Sequence, residues 1–535
     1  MSPLLYVLLF QFAGALLVAL IPRNYRLVLR LVALAATGLS LLASFGMLLQ
    51  FDPAKSGYQF EKNIPWVDSL GIQFHVGVDG INLALIIMGA IVAFAAACVS
   101  REIKNREKEY YFLLLLMSGG ILGAFCALDI FMFYFFHELA LVPTFILIGV
   151  WGHGESKNYA TFQITLYLSL GALVALIGLI ALYAQTGAKT FDLVAITEHI
   201  RTHPLSLSAQ QLIFPLLLFG FGILVSLWPF YSWAPLGYAS APTAAAMLHA
   251  GVIKKFGLYG LIRIALPLMP EAAAQWMPLL AILSLGNILH CGWAAMRQRD
   301  LNMLAGYSSV AHMGFAFLGI ASLGVIGIGG CVVVMVAHGL LAALVFALTG
   351  HIRQETGTLE MDKLGGLLQR MPFAGGILIM AMLAGCGLPG FANFAGELLV
   401  LMGAWKALPA MVVMAAWGAL VIGAIYMLRA VRKVAHGPLP DALAKVNDAG
   451  KTEPDLPKIM DIPLRLWRRL GYALLVAALV GLGVYPAALT TRIEPVAKNI
   501  LSPYHVNDNA RKNSTSGPSR GTQTKPGKQT TRPVK

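Results

Sequence analysis

Long apolar runs separated by short polar stretches dominate the chain. Each run can cross the membrane as a helix, since about 20 mostly apolar residues span roughly 30 Å of hydrocarbon. The predicted fold class is an all-α polytopic membrane protein. About fourteen spanning helices are predicted, near residues 3–21, 27–49, 77–99, 110–128, 129–151, 160–184, 210–235, 241–267, 275–295, 302–321, 324–350, 372–403, 408–431 and 468–490.

Helix-breaking residues lie inside two of these runs. Pro229 and Pro235 fall in the seventh predicted helix, and the sequence Gly-Leu-Pro-Gly at residues 387–390 falls in the twelfth. A broken helix at membrane depth is tolerated only where protein or a water-filled cavity satisfies the freed backbone groups. Helices 7 and 12 are therefore predicted to be discontinuous and to border a hydrated interior. Asp129 is the predicted turn between the fourth and fifth helices.

Composition supports the membrane assignment and narrows the chemistry. The 535 residues are 58% hydrophobic and 12% charged, with a mean hydropathy of +0.73, whereas soluble domains carry about 25% charged residues. The 5 cysteines stand singly in apolar runs, without the spacing of a disulfide framework, a zinc site or an iron–sulfur cluster. The sequence predicts no metal site and no nucleic-acid-binding module.

The net charge of +14 comes from loops and from the C-terminal segment. Lysine and arginine concentrate in alternate loops, the bias expected when basic loops stay in the cytoplasm. With an even number of helices, this bias predicts that both termini face the outside. Residues 491–535 are rich in Ser, Thr, Pro and Lys, so they are predicted to form a disordered basic tail.

The candidate chemistry lies in ionisable side chains within the predicted helices. A charged side chain near the bilayer centre costs about 2.5–3.5 kcal/mol even on insertion scales, so such residues usually have a partner or a function. Glutamate, lysine and histidine placed in a row can pass a proton if water links them. The alternative for each histidine is an ordinary interhelical hydrogen bond. The candidates are Glu138, His249, Lys254, Lys255, His290, His312, His338 and Glu397.

Several motifs along the chain resemble one family. The run FHELALVPTF at residues 136–145 looks like the fifth-helix signature of subunit M of bacterial NADH-quinone oxidoreductase, equivalent to chain 4 of respiratory complex I. This subunit belongs to the wider family of antiporter-like membrane subunits. Further matching segments are APT at 241–243, AGVIKK at 250–255, GYSSVAHMGF at 306–315, AHG at 337–339 and GLPGFANFAGE at 387–397.

The resemblance implies an organisation and a role for each matching residue. It implies two inverted five-helix repeats, each with a broken helix. It makes Glu138 the carboxylate of the first repeat, Lys255 the connecting lysine, His312 and His338 relay histidines, and Glu397 the terminal acid of the second repeat. The implied segments are N-terminal helices 1–3 (1–109), the first repeat (110–267), the second repeat (275–431), a cytoplasmic loop (432–467), helix 14 (468–490) and the tail (491–535).

The resemblance also implies a setting. The chain would be a proton-translocating subunit in the membrane arm of a complex I-type NADH-quinone oxidoreductase, in the bacterial inner membrane, with both termini periplasmic. It would hold no cofactor itself, while partner subunits would carry NADH, FMN, iron–sulfur clusters and quinone. Its partners would be other antiporter-like subunits and the lipid bilayer.

The sequence departs from the family pattern around the seventh helix. Leu224 stands where the family has a lysine that pairs with the glutamate of the fifth helix, and Tyr231 stands where it has a histidine. Gln163 and Asn302 also replace basic residues of the family. A buried glutamate that loses its cation tends towards the protonated form.

Two additional ionisable residues on the eighth helix suggest a compensation. We hypothesise that Lys254 or His249 serves Glu138 in place of the missing lysine. The alternative is that Lys254 extends its ammonium group to a polar surface or contacts a neighbouring subunit.

Two other functions stay open from the sequence alone. The chain could be a subunit of a multisubunit sodium/proton antiporter or of a membrane-bound hydrogenase, which share these helices. It could also be a structural spacer in complex I that keeps the fold without pumping.

Overall fold

The computed structural model describes residues 2–55, 57–438 and 458–515. Within these ranges the protein is a bundle of apolar helices, twelve of which are long and apolar enough to cross a membrane. Two shorter apolar helices, Pro372–Gly385 and Ala392–Trp405, lie in the region of the twelfth predicted helix. The all-α polytopic fold class is confirmed. The count of fourteen helices and the two inverted repeats stay predictions.

The helices follow the apolar runs closely. The first ten are α1 (Pro3–Leu20), α2 (Arg26–Gln50), α3 (Gly80–Val99), α4 (Glu107–Cys126), α5 (Ile130–Trp151), α6 (Lys157–Thr186), the short α7 (Leu193–Thr202), α8 (Leu207–Val225), α9 (Trp233–Ser240) and α10 (residues 243–268). The remainder are α11 (Pro270–Arg297), α12 (Leu301–Ala321), α13 (Val325–Thr356), α14 (Pro372–Gly385), α15 (Ala392–Trp405), α16 (Pro409–Ala435), α17 (Lys458–Val484) and α18 (Ala487–Thr515). Single helical turns form at Asp68–Leu70, Ser100–Glu102, Met361–Lys363 and Leu367–Arg370.

A β-hairpin that the sequence analysis does not predict joins α2 to α3. Strands β1 (Gln59–Val67) and β2 (Ile72–Val78) pair antiparallel, with Gln59 opposite Val78 and Val67 opposite Ile72. Most of β1 is exposed, so it lacks the apolar alternation by which a half-buried strand is identified in a sequence. We call the end of the bundle that carries this hairpin the hairpin side.

A buried histidine fastens the hairpin to the bundle. His75 on β2 contacts the Asp192 carboxylate through Nδ1 and Glu61 Oε1 through Nε2 at 2.7 Å. Burial alone would lower the pKa of His75, but these two carboxylates outweigh it and the pKa is raised. Burial would raise the pKa of Asp192, but the hydrogen bond with His75 outweighs it and the pKa is lowered. Opposite charges therefore stabilise the attachment.

Aspartates cap the first turns of several helices. The Met132 N–H donates to Asp129 Oδ1 at 3.0 Å at the start of α5, which confirms Asp129 as the turn after α4. Asp79 forms a capping box with Asn82 at the start of α3. These caps satisfy backbone N–H groups that have no partner within the helix.

Both predicted helix breaks are present. The seventh predicted helix is divided between α8, which ends at Val225, and α9, which begins at Trp233. The twelfth is divided between α14 and α15, and Gly387 and Gly390 in the gap have φ of 71° and 101°. Glycine adopts such left-handed conformations without the steric cost that other residues incur.

The buried side chain of Asn287 satisfies the backbone at the first break. Its Oδ1 accepts the Trp228 N–H at 2.7 Å, and its Nδ2 donates to Ser226 O at 2.9 Å and to Val310 O at 3.1 Å. Backbone groups exposed by the break are thus paired by a neighbouring helix, as a break at membrane depth requires.

The predicted disordered tail is wrong for its first part, because α18 extends over Ala487–Thr515. Ile493, Ala497, Ile500 and Leu501 are buried along it, and this spacing places them on one face of a helix that packs on the bundle. The rest of the tail, residues 516–535, lies outside the described residues. Helix 14 ends at Val484 instead of residue 490, and α16 continues to Ala435 into the predicted loop, of which residues 439–457 also lie outside the described residues.

Candidate functional site

Lys255 lies in the centre of the bundle, on a helix with unusual local geometry. Residues His249–Ile253 of α10 form a π-helical segment directly before it, and such wider turns leave backbone carbonyls available for side chains. Lys255 Nζ donates to Ala250 O at 2.6 Å and to His338 Nδ1 at 2.8 Å. The Lys255 side chain is fully buried. The connecting lysine is therefore in direct contact with one of the predicted relay histidines.

The row continues from His338 to the second broken helix. The rings of His338 and His312 have centroids 5.7 Å apart, and His312 Nδ1 lies 3.0 Å from Glu397 Oε1. A cavity of about 10 Å³ touches His312, Glu397 and Tyr426, close to the smallest volume that holds one water molecule. Four of the predicted site residues, Lys255, His338, His312 and Glu397, thus form one continuous row, which we call the central row.

Glu397 lies directly beside the second helix break. A Cβ added at Gly387 would be 2.9 Å from Glu397 Oε2, so the carboxylate occupies space that the glycine leaves open. Glu397 is buried near the start of α15. The gap between α14 and α15 therefore positions the acid at the end of the central row.

Glu138 is not part of the central row. Its carboxylate lies 3.6 Å from His137 Nδ1, and its side chain is 33% exposed. The Tyr134 hydroxyl, one turn earlier on α5, is a second polar neighbour of this carboxylate. His137 was not among the predicted site residues, although it stands directly before Glu138 in the motif that carries the resemblance. Leu224 is buried and apolar, as the sequence departure implies.

Aromatic rings separate Glu138 and His137 from Lys255. The His137 ring stacks on Phe256 with centroids 3.9 Å apart, and Phe256 stacks on Phe133 at 4.2 Å. Phe256 is the residue next to Lys255 in α10. The two parts of the predicted pathway are therefore close in space.

Neither Lys254 nor His249 forms an ion pair with Glu138 among the described residues. Lys254 Nζ donates to Ser309 Oγ at 3.2 Å and lies 5.5 Å from the centre of the Tyr238 ring. Neither ring nitrogen of the buried His249 has a hydrogen-bond partner among the described residues, and its ring packs on Trp233 and Tyr238. The ion pairs formed in the described part of the chain do not include Lys254 or His249 with Glu138. Lys254 instead adds a second buried lysine beside the central row.

His290 and Tyr231 meet at the first break, away from the central row. His290 Nε2 lies 2.8 Å from the Tyr231 hydroxyl, at an exposed position of the isolated chain. Ser232 in the same break accepts a hydrogen bond from Gln163 Nε2 at 3.1 Å. Two of the residues that replace basic groups of the family, Tyr231 and Gln163, are thus hydrogen-bonded at the first break.

A second charged cluster, which the sequence analysis did not single out, lies opposite the hairpin side. Glu102 accepts hydrogen bonds from the Thr243 N–H at 2.5 Å and the Thr243 hydroxyl at 2.8 Å, at the start of α10. Arg353 and His153 lie 3.7 and 3.9 Å from its Oε2. Burial and the nearby Arg353 lower the pKa of His153 to about 4, so His153 is neutral at pH 7. These residues fix the end of the helix that carries Lys255.

None of the predicted site residues forms a metal site. Among the residues described, no three His, Cys, Asp or Glu side chains are grouped so that they could hold a metal ion. The charged groups of the central row contact one another and the backbone.

A buried row of ionisable groups between broken helices, within a bundle of spanning helices, is the architecture of an antiporter-like membrane subunit. A family model described as "NADH:quinone oxidoreductase/Mrp antiporter, TM" matches residues 127–423, a range that contains every predicted site residue. NADH-quinone oxidoreductase subunit M of Pseudomonas aeruginosa is 34% identical over 499 residues, covering 90% of this chain and 94% of that protein. The chain belongs to the NADH-quinone oxidoreductase subunit M family.

Solved structures agree with this family. A chain of respiratory complex I from Thermus thermophilus with bound NADH superposes with a TM-score of 0.80 at 28% identity, over 94% of this chain and 99% of that chain. A chain of the Mrp complex from Dietzia has a TM-score of 0.78 at 19% identity, over 94% and 97%. The likeness to the Mrp chain shows a shared fold alone.

Proposed function

We propose that this chain moves protons across the membrane as a membrane-arm subunit of a complex I-type NADH-quinone oxidoreductase. The observation that supports it is the central row, in which Lys255, His338, His312 and Glu397 follow one another inside a bundle of spanning helices. Ionisable groups buried at this depth are costly unless they are paired or functional. NADH, FMN, iron–sulfur clusters and quinone would be held by partner subunits, including other antiporter-like subunits.

Each group in the central row has a distinct role in this proposal. Lys255 gives a proton to His338 Nδ1 when the histidine is neutral, because the two nitrogens are already at hydrogen-bond distance. A proton on His312 can pass to Glu397 through the contact at its Nδ1. The step between the two histidines needs a bridging water or a ring movement, since 5.7 Å between ring centroids does not by itself provide a direct hydrogen bond.

The proposal includes an orientation and an arrangement of repeats. The basic loops face the cytoplasm of a bacterial inner membrane and both termini face the periplasm, which also places the hairpin side towards the periplasm. The first repeat covers residues 110–267 and the second covers 275–431. The central row then begins on the last helix of the first repeat and ends in the second.

Glu138 has a separate role in the proposal. With Leu224 in place of the family lysine, its neighbours are His137 and Tyr134. We assign Glu138 and His137 together as the ionisable group of the first repeat. Its charge influences Lys255 across the intervening rings, because opposite charges interact more strongly in a medium of low dielectric constant than in water.

The test is the ratio of protons moved to electrons transferred in the intact complex reconstituted in vesicles. Lys255→Ala is expected to lower this ratio while electron transfer to an added quinone continues in uncoupled vesicles. Glu138→Gln is expected to lower it as well. The matched control is Lys406→Ala, since Lys406 is an exposed lysine outside the central row. An unchanged ratio in both Lys255→Ala and Glu138→Gln would show that the chain is a spacer that does not pump.

The sodium/proton antiporter and hydrogenase alternatives predict a different assembly. Purification of the whole complex distinguishes them, because only a complex I-type assembly would oxidise NADH and reduce quinone. Sodium-dependent transport by a complex without that activity would favour the antiporter alternative.

A further inference from the structure

An apolar groove opens on the outer surface of the bundle near the hairpin side. It has a volume of about 580 Å³ and lies between α2, α3, α13, α17 and the first turns of α18. Apolar side chains such as Phe45, Ile87, Leu340 and Leu474 form its walls. Its volume is within the range of about 300–1,000 Å³ that is typical of small-molecule sites in proteins.

One charged side chain lines this groove at the end formed by α18, which we call its mouth. Among the described residues that line it, Arg492 on α18 is the only one that is charged. Arg492 Nη1 donates to Ala488 O at 2.6 Å, while its buried Nε has no hydrogen-bond partner among the described residues. An arginine with a free donor favours a planar anion such as a carboxylate or a phosphate.

The position of Arg492 corresponds to the surface of the membrane. The backbone of Arg492 packs directly against Gly80, the first residue of α3, and Tyr485, which also lines the groove, is 65% exposed. Tyrosine is enriched where the headgroups of a bilayer meet its hydrocarbon core. The mouth of the groove is therefore at the level of lipid phosphates.

The depth of the groove matches one leaflet. Its lining on α3 extends to Ile91, which is about 16 Å along a helix from Gly80 at 1.5 Å per residue. The hydrocarbon of a bilayer is about 30 Å thick, so one leaflet contributes about 15 Å. An anion at the mouth with an apolar chain of one-leaflet length below it is the chemistry of a phospholipid.

We propose that this groove binds one anionic phospholipid, with an acyl chain between α3 and α17 and the phosphate against Arg492. The site is independent of the central row. A lipid held there covers apolar surface that packs on α13, the helix that carries His338, and fixes α18 to the membrane-spanning bundle.

The first experiment removes the space in the groove for the acyl chain of the lipid. A Cβ added at Gly481, which lines the groove, meets nothing within 4 Å, so Gly481→Leu adds side-chain volume to the groove from a position with open space around it. The intact complex is equilibrated with vesicles of equal parts phosphatidylglycerol and phosphatidylcholine, extracted in detergent, and the lipid retained by this chain is identified by native mass spectrometry. The expected result is one retained phosphatidylglycerol in the wild type and an at least tenfold loss in Gly481→Leu. The matched control is Gly376→Leu on α14, where an added Cβ is equally free.

The second experiment removes the charge. Arg492→Gln keeps a hydrogen-bond donor and is expected to lower the preference for phosphatidylglycerol over phosphatidylcholine about fivefold, which corresponds to about 1 kcal/mol per basic residue near an anionic surface. Lys498→Gln on the same helix, outside the groove, is expected to leave the preference unchanged. Excess inorganic phosphate is expected not to displace the lipid, because the acyl chain of the lipid supplies most of the binding free energy.

Four results would overturn the proposal. They are the absence of retained lipid in the wild type, equal retention in Gly481→Leu, an unchanged preference in Arg492→Gln, and displacement of the lipid by inorganic phosphate. A photoreactive residue in place of Leu482, which also lines the groove, tests the occupant in the assembled complex. Cross-linking to a lipid supports the proposal, and cross-linking to a partner polypeptide refutes it.

Discussion

The contact between Lys255 and His338 depends on two glycines that let α10 and α13 approach closely. Gly251 lies one turn before Lys255, and Gly339 directly follows His338. A Cβ added at Gly339 would lie 2.7 Å from Gly251 O and would also meet the Met88 side chain. Ordinary contacts of a Cβ begin at 3.4 Å, so Gly339→Ala requires the helices to separate by about 0.7 Å, since packed interiors have little free space.

This separation is enough to break the first step of the central row. The hydrogen bond from Lys255 to His338 is 2.8 Å long. An increase of about 0.7 Å would lengthen this distance beyond the 3.2 Å limit of a good N–H donor contact. Overpacking of this kind costs about 1–3 kcal/mol, less than the whole stability of most domains. Gly339→Ala is therefore expected to assemble and to lower the ratio of protons moved to electrons transferred.

The control for this prediction is on the same helix. A Cβ added at Gly329 of α13 meets nothing within 4 Å, so Gly329→Ala makes the same chemical change without separating the helices. Both variants are measured in reconstituted complex, together with their thermal unfolding temperatures. If Gly339→Ala pumped as well as Gly329→Ala, the close approach of α10 and α13 would not be what holds the row together.

Three further predictions concern other parts of the bundle. Asn287→Ala removes the side-chain partner of two backbone groups at the first break, the Trp228 N–H and the Ser226 carbonyl, at about 1–3 kcal/mol for each buried group left unpaired. The unfolding temperature of the complex should therefore fall well below that of Asn302→Ala, whose Oδ1 has no hydrogen-bond partner to lose; equal temperatures would contradict this prediction. The pKa of His75 is raised in the folded protein. The free energy by which protonated His75 stabilises the attached hairpin is therefore fully present below the usual histidine pKa of 6.5 and is lost as the pH rises through the raised pKa. Hydrogen exchange of the hairpin amides should therefore accelerate at alkaline pH beyond the normal base-catalysed rate, and His75→Gln should remove this extra dependence. His137→Phe keeps the ring stack but removes the nitrogen that faces Glu138, so the pumping ratio should fall as in Glu138→Gln, and combining both changes should add little; full additivity would show that the two residues act separately.

The sequence predicted the parts of the fold that depend on local chemistry. Apolar run length defined the spanning helices, and the glycines and prolines at residues 229, 235 and 387–390 located both breaks. The β-hairpin was missed because β1 is largely exposed and shows no apolar alternation. The helix after Val484 was missed because its buried residues, such as Ile493 and Ile500, are spread among polar ones in a segment of basic composition. The helical spacing of these apolar residues becomes visible only when their positions are examined separately from the polar composition of the segment.

The sequence predicted which residues form the candidate site more fully than it predicted the contacts between those residues. Motifs identified Lys255, His312, His338 and Glu397, but the distances that make them one row depend on how four separate helices pack. The partner proposed for Glu138 was Lys254 or His249, and neither forms an ion pair with it among the described residues, where its polar neighbours are His137 and Tyr134. A local rule would have pointed to Tyr134, because residues i and i+4 share a face of a helix. The position of Lys254 beside Ser309 depends on the π-helical segment before it, which no simple sequence period reveals.

The two ends of the predicted pathway differ in how they are connected. From Lys255 to Glu397, two of the three steps are direct contacts between ionisable groups, and the third, between His338 and His312, spans 5.7 Å between ring centroids. From Glu138 and His137 towards Lys255, the stacking contact of His137 is with the ring of Phe256, and a phenyl ring provides no acceptor for a proton. Charge interactions act across such a gap while proton transfer does not, which is why the role proposed for Glu138 is an effect of its charge on the proton affinity of Lys255. The absence of the family lysine at Leu224 fits this role for Glu138. A carboxylate that is not paired with a lysine has a larger electrostatic effect on a more distant group such as Lys255.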